Sequence, residues 1–274
     1  MLALKIPCTS PRPLDFDRLA AAEDRHFWFR SRNRLLKTVI ADLVKPFPAG
    51  YQVLEVGCGT GYVLRMLEQV CHNGNVAGVD LFEEGIAFAR SRVRCPLIKA
   101  DIQNLPFERP CNLIGLFDVL EHIADDGAAL TNLAARLAPA GSLVLTVPAH
   151  MSLWSHFDVY SQHFRRYSMA SLTKVLKAAG LRVAYMTQFM SALYPAMWLR
   201  RKLAVDAEAI KNDPEKTRSQ SLKDLQVGTI ANTLFGALLA WEPYAVKWRL
   251  PIPLGTSILA VAERDDSVAT QGKR

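Results

Sequence analysis

The sequence predicts an α/β chain, a doubly wound and mostly parallel sheet of seven strands flanked by helices, with a helical insert ahead of the last strand. Three observations lead there. Short apolar runs alternate with helix-length segments from residue 52 to residue 188, the pattern of βα units that assemble into a parallel sheet. The run CNLIGLF at 111–117 is apolar apart from Asn112, as expected of a strand covered on both faces. VLEVGCGTG at 53–61 passes from an apolar run through three alternate glycines into YVLRMLEQV, which reads as strand, tight turn and helix.

Taken in order, residues 15–45 read as one or two helices, because Leu35, Leu36, Val39, Ile40 and Leu43 recur at helical spacing before Lys45-Pro46-Phe47-Pro48 ends them. Within them HFWFRSRNR, 26–34, sets three aromatics among Arg30, Arg32 and Arg34. Either this cluster lids a cofactor or holds an acidic acceptor, or Phe27, Trp28 and Phe29 dock the helix while the arginines are solvated. The first strand is 52–56, and its helix runs to about Cys71, closed by His72-Asn73-Gly74-Asn75. The second strand, 76–80, leads into EEGIAFARSRV, whose Glu83 and Glu84 complement the start of a helix. A short strand, LIKA, ends before Asp101, and 111–117 is the fourth. A helix over 126–138 ends at Pro139-Ala140-Gly141, and SLVLTVP is the fifth strand. Ser168 caps the helix MASLTKVLKAA, with Gly180 past its end, and LRVAYMTQ is the sixth. GTSILAVAER, 255–264, is the last strand, followed by a tail, 265–274.

The glycine turn frees backbone N–H groups at a helix start and permits close approach by a ligand. The second strand ends in Asp80, where a carboxylate accepts both hydroxyls of a ribose. A dinucleotide fold wants G-x-G-x-x-G, but the third position falls on Tyr62 and the glycine stands one residue early, at Gly61. A nicotinamide oxidoreductase is therefore disfavoured. Glu55, Gly57, Gly59 and Gly61 match E/D-x-G-x-G-x-G, and the stretch resembles the first motif of the class I S-adenosylmethionine-dependent methyltransferases. That resemblance implies a Rossmann-like sheet with an antiparallel last strand, and S-adenosyl-L-methionine as cofactor. It places Glu55, Gly57, Cys58, Gly59 and Gly61 around the methionine part, Asp80 and Leu81 at the ribose, and Asp101 with the Ile102 backbone at the adenine. It divides the chain into an N-terminal helical segment or lid (1–50), a cofactor-binding core (51–190), a helical insert (191–254) and the last core strand.

DVLEHIADD, 118–126, is similar to a segment the family carries beyond its fourth strand. Topology alone sets Asp118, Glu121 and His122 near the crevice at the carboxyl ends of the strands. Asp118 joins the expected cofactor contacts, and His122 is either a general base or a shaper of the loop. Residues 148–167, PAHMSLWSHFDVYSQHFRRY, hold His150, His156 and His163. With His122, His150 and His156 are the catalytic candidates, while Arg165 and Arg166 either clamp acidic groups or lock this loop to Asp158. The histidine spacing matches no metal template, so no metal is expected.

A net charge of +7 suits an acidic substrate or an anionic membrane surface. Without a dense basic tract, nucleic acid is disfavoured. Five cysteines in no paired spacing indicate neither a disulfide framework nor a zinc site. The opening MLALKIPCTSPRP has too short an apolar run for a secretory signal, so the expected place is the cytoplasm. In the insert, KNDPEKTRSQSLKD reads as a mobile linker. LQVGTIANTLFGALLAW, 225–241, puts Ile230, Leu234, Leu238 and Trp241 on one helical face, but is too short and interrupted to span a bilayer. Its uses are to pack over the acceptor pocket, to pair with another subunit, or to lie on an anionic membrane. The functional expectation is methyl transfer to a small-molecule, lipid or lipid-linked acceptor. The alternative is a non-catalytic methyltransferase-like protein that recruits a membrane or protein partner.

Overall fold

The computed structural model describes residues 16–106, 109–203 and 227–265; the linker read at 211–224, most of the tail and Cys8 lie outside them. Two helices, α1 (Phe16–Glu23) and α2 (Phe27–Leu43), precede the sheet. Then follow β1 (Gln52–Val56), α3 (Tyr62–Val70), β2 (Asn75–Asp80), α4 (Glu83–Arg92), β3 (Leu97–Lys99), β4 (Cys111–Phe117) and α5 (Asp126–Ala135). The chain continues through β5 (Leu137–Pro148), α6 (His156–Tyr160), α7 (Met169–Ala178) and β6 (Leu181–Phe189). The insert contributes α8 (Tyr194–Leu203), α9 (Thr229–Leu238) and α10 (Glu242–Lys247), and β7 (Ser257–Arg264) closes the sheet.

The seven strands lie in the order β3-β2-β1-β4-β5-β7-β6. The pairings from β3 across to β5 are parallel, and β7 runs antiparallel between β5 and β6. Side chains of a strand alternate between faces, and the sequence uses both. Val53 joins the core under α2 and α3, while Leu54 and Val56 join the core under α5 and α7. In β7, Leu259 and Val261 serve the first core, and Ile258, Ala260 and Ala262 the second. This two-sided burial is why the strands read as apolar runs.

Helix α5 ends at Ala135, earlier than the expected 138, and Leu137 already pairs with Cys111. The register then shifts to Leu113 opposite Ser142, so Pro139-Ala140-Gly141 is a bulge in β5 and not a helix stop. A β-carbon on Gly141 would stand 2.9 Å from the carbonyl oxygens of Ala138 and Cys111, which explains the glycine.

In the insert, Asn232 bonds both ways to the start of α2. Its Oδ1 accepts from the Phe27 N–H at 2.6 Å and its Nδ2 donates to the Arg25 carbonyl at 2.8 Å, closing groups that a helix start leaves open. Phe235 stacks on Phe27 at 5.1 Å, and Leu239 is buried. Glu242, also buried, accepts from the N–H groups of Met190 and Ser191 and ties α10 to the end of β6. The stripe Ile230, Leu234, Leu238 and Trp241 therefore faces outward, with Ile230 86% exposed. Packing, the first use weighed for that stripe, is taken by the opposite face of α9. Among the described residues no helix is long and apolar enough to cross a membrane.

Candidate active site

The turn after β1 and the end of β2 form one unit. Gly57, Gly59 and Gly61 all have positive φ, at 75°, 49° and 78°. A β-carbon on Gly57 would lie 2.3 Å from Val119 Cγ2, so packing requires that glycine. Around Gly59 nothing among the described residues stands within 4 Å of such an atom, so its Cα borders open space there. The Gly59 N–H donates to Asp80 Oδ2 at 2.7 Å and the Phe82 N–H to Oδ1 at 2.9 Å. These bonds hold the Asp80 carboxylate at the rim of the turn, while burial raises its pKa against their pull. Cys58 is buried and Leu81 exposed.

Glu55 is buried in β1, and its Oε2 has no hydrogen-bond partner among the described residues. Burial pushes its pKa well above the carboxylate range, with the Arg32 guanidinium opposing. An open glycine face, a held carboxylate and an orphaned buried carboxyl oxygen suit a ligand carrying hydroxyl and ammonium donors, so the residues present fit the sulfonium cofactor that the motif resemblance implies. Asp101 caps the 3-10 turn Ile102–Asn104 by accepting from the Gln103 N–H at 2.9 Å, and the Ile102 carbonyl accepts from Asn132.

Three residues just beyond strand ends take positive φ without being glycine: Asp118 after β4, His150 after β5 and Met190 after β6. Because β6 runs with β4 and β5, all three lie along one edge of the sheet. Strain of this kind concentrates at functional sites.

Asp118 is ion-paired with the buried Arg32 of α2, which lies 4.9 Å from the centroid of the Trp28 ring. The aromatic-basic segment thus divides: Phe27 and Phe29 are buried, Arg32 is buried and paired, and Arg30 and Arg34 are exposed. A second fastening joins α1 to the glycine turn. Thr60 Oγ1 donates to Glu23, and Arg92 of α4 donates to Glu23, to Thr60 Oγ1 at 2.8 Å and to the Ala20 carbonyl at 2.8 Å. Neither fastening is readable in sequence, since each joins residues tens of positions apart with no local signature.

The loop after β5 is locked from within. Asp158, fully buried, accepts from Arg166 Nε at 2.7 Å, Arg166 Nη2 at 2.9 Å and His163 Nδ1 at 2.9 Å. These partners overcome burial and hold its pKa down at about 2. Arg165 pairs with Asp126 at 2.8 Å, and Tyr167 donates to the same carboxylate at 2.8 Å. Of the two readings left open in the sequence, Arg166 follows the second and locks this loop to Asp158, while Arg165 ties it to Asp126 at the start of α5.

The catalytic candidates are dispersed. His150 bonds Gln188 Oε1 through Nε2 at 2.6 Å and packs edge-on against Tyr194. His156 is buried in the first turn of α6. His122 meets His163, ring centroids 4.6 Å apart and nearly perpendicular. Desolvation by the surrounding protein, then His163, push the His122 pKa down to about 4, although the residue keeps an exposed edge.

Comparison with known proteins agrees with this geometry. The methyltransferase domain family matches residues 25–185. A probable S-adenosylmethionine-dependent methyltransferase of Mycolicibacterium smegmatis is 27% identical over 179 residues, 64% of this chain and 67% of that protein. The phthiotriol/phenolphthiotriol dimycocerosates methyltransferase of Mycobacterium tuberculosis is 39% identical over 62 residues, 22% of this chain and 23% of that protein. This chain thus spans about two thirds of the first relative and a quarter of the second. Among solved structures, an S-adenosylmethionine-dependent methyltransferase from Clostridium acetobutylicum superposes with a TM-score of 0.51 at 13% identity, covering 84% of this chain and 91% of that one, a likeness of fold. With the family match running from the aromatic-basic segment to β6 and covering more than half of the sequence, this chain belongs to the S-adenosylmethionine-dependent methyltransferases.

Proposed function

We propose that the chain methylates a lipid or other apolar small molecule taken from an anionic membrane surface. The observation that carries this reading is the outward apolar ridge of Ile230, Leu234, Leu238, Trp241, Tyr244 and Trp248 along α9 and α10. Trp248 is 73% exposed, and contiguous exposed apolar surface marks an interaction site. Lys247 and Arg249 flank it, an arrangement suited to anionic headgroups. The ridge sits on helices bound to α2, the helix whose Arg32 reaches Asp118. The dimycocerosates named for the M. tuberculosis relative lend support.

S-adenosylmethionine, when bound, supplies an electrophilic methyl group on a sulfonium. The chain's part is alignment and exclusion of water. In this reading Asp80 accepts from the ribose hydroxyls with the lone pairs that Gly59 and Phe82 leave free, and Leu81 covers the sugar. The open face of Gly59, with Gly57, Cys58 and Gly61 shaping the turn, admits the methionine part, for which the unpartnered carboxyl oxygen of Glu55 and the Asp118 carboxylate serve as acceptors. Asp101 and the Ile102 backbone border the adenine. A base is needed only for an acceptor protonated at neutral pH; His150, bonded to Gln188, and the buried His156 are assigned no proton transfer.

Methyl-labelled S-adenosylmethionine incubated with the protein and anionic vesicles of source-cell lipid tests the reading. Label is expected in the organic fraction, and is expected to fall when Trp241 and Trp248 are both changed to Ser. Label confined to aqueous or protein fractions, or flotation with vesicles unaltered by that double change, would refute the membrane-derived acceptor.

A further inference from the structure

Glu121, His122 and His163 bring one ligand atom each within 4.8 Å of one another. Glu121 and His122 lie in the 3-10 turn just past the end of β4, and His163 comes from the loop after β5. The orientation of the groups is fixed by their neighbours. His163 Nδ1 donates to Asp158 Oδ1 at 2.9 Å. That carboxylate is held in turn by Arg166 and by the Ser155 N–H and hydroxyl. The bond leaves His163 Nε2 as a lone-pair nitrogen, and it points toward Glu121 Oε1 at 4.0 Å. The His122 ring stands edge-on to that of His163, with centroids 4.6 Å apart, and contributes its own ring nitrogen to the cluster. Glu121 is 1% exposed, and its Oε2 has no hydrogen-bond partner among the described residues.

Two imidazole nitrogens and a buried carboxyl group therefore converge, with Glu121 Oε2 unpartnered among the described residues. A buried polar atom without a partner is unfavourable, and a cation that displaces the Glu121 proton would satisfy it. A histidine whose far nitrogen is bonded to a carboxylate, as His163 is to Asp158, is the usual form of a metal ligand, because that bond sets tautomer and ring angle. We infer that Glu121, His122 and His163 form a site for a divalent first-row metal ion, with His163 positioned by Asp158. Ligands at about 2.0–2.2 Å from such an ion stand roughly 3–4 Å apart, so a closure of about 1 Å completes the site. Two imidazoles and one carboxylate suit manganese, iron or zinc, and leave coordination positions open. The exposed edge of His122 provides the way in.

Those open positions lie at the strand edge occupied by Asp118 and His150, so the ion would take an oxygen of the acceptor as a further ligand. This use rests on the methyl-transfer reading; the binding itself does not.

The test is a titration of the full chain with Mn²⁺ after EDTA treatment, read by the electron-spin-resonance signal of free Mn²⁺. One equivalent is expected to bind, at least tenfold more weakly in His163→Gln and in His122→Gln, with S-adenosylhomocysteine affinity kept as the measure of an intact fold. No saturable binding by the parent protein, or affinity in both variants equal to that of the parent, overturns the site. A variant-free readout guards against misfolding. Substoichiometric Mn²⁺ is expected to broaden the ring-proton resonances of His122 and His163 before those of His26, His72, His150 and His156, and uniform broadening overturns the assignment. Loss of S-adenosylhomocysteine binding by the parent protein would count against the methyltransferase reading alone.

Discussion

Gly59→Ala separates a glycine kept for the ligand from one kept for the fold. A methyl group at 59 meets nothing within 4 Å among the described residues, so the cost to the fold is that of an alanine at φ 49°, about 1–2 kcal/mol for a left-handed residue. In a protein of this size each kcal/mol moves the melting point by roughly 2–4 °C, so a fall of about 2–8 °C is expected. Gly57→Ala carries the same backbone cost plus a collision at 2.3 Å with Val119 Cγ2, and overpacking adds about 1–3 kcal/mol. It should melt lower still. Binding should order the pair the other way. The methyl of Gly59→Ala enters the space assigned to the cofactor, and a similar overpacking cost there corresponds to roughly ten- to a hundredfold in affinity. Calorimetric titration with S-adenosylhomocysteine, beside thermal melts of both variants, measures the two effects separately. Undiminished affinity in Gly59→Ala would refute the assigned ligand space, and equal melting points for the two variants would refute the packing argument for Gly57.

Asp80→Ala removes the acceptor for the Gly59 and Phe82 N–H groups and the proposed ribose contacts; S-adenosylhomocysteine affinity should fall about ten- to a hundredfold per charge-assisted bond lost, and a value within twofold of the parent would refute the ribose assignment. Asn232→Ala uncaps α2 and should cost about 1 kcal/mol, with faster proteolysis near α9 than in the parent; unchanged cleavage would show that Asn232 does not hold the insert. Cys71 is fully buried, and burial raises its thiol pKa to about 11. A raised pKa means the native state holds its proton more tightly than the unfolded chain. Its contribution is therefore complete below about pH 9 and is lost as pH rises through about 11, a span worth about 3 kcal/mol. Denaturant melts from pH 8 to 11 should show this alkaline loss, with a shallower slope in Cys71→Ala.

Much of the architecture was legible because its signals are local. The short apolar runs of β4 and β7 declare strands buried on both faces, and three glycines before an amphipathic run declare a turn whichever ligand fills it. Asp80 was legible because it ends a strand beside that turn. What escaped depends on partners distant in sequence. Arg32 could have been a solvated cation until Asp118 was seen beside it, and nothing near Glu23 announces Arg92. Helical spacing marks Ile230, Leu234, Leu238 and Trp241 as one face, yet periodicity does not say whether anything covers that face. Here Asn232, Phe235 and Leu239 turn inward and those four turn out. The lock of Arg166 to Asp158 was one of two readings open in the sequence, but nothing near Arg165 announced its partner Asp126, which lies on another element. His163 gave no sign of its nearness to Glu121, since the ligand spacing is set by β4 and β5 lying side by side. Pro139-Ala140-Gly141 misled in a different way, because a bulge and a helix stop use the same residues.

The bond between Asn232 and the start of α2 spans 205 positions. As the chain leaves the ribosome, Phe27 and its helix emerge long before the residue that caps them. The segment must wait, with its aromatic face uncovered, until nearly all of the polypeptide has been made. Since distant pairings close slowly, the contact of α2 with α9 is among the late ones, although Leu35, Leu36 and Ile40 can already pack against α3 and β1. Nascent chains cut short before residue 232 would have the sheet's first strands and the glycine turn, but the start of α2 would lack the amide that closes it.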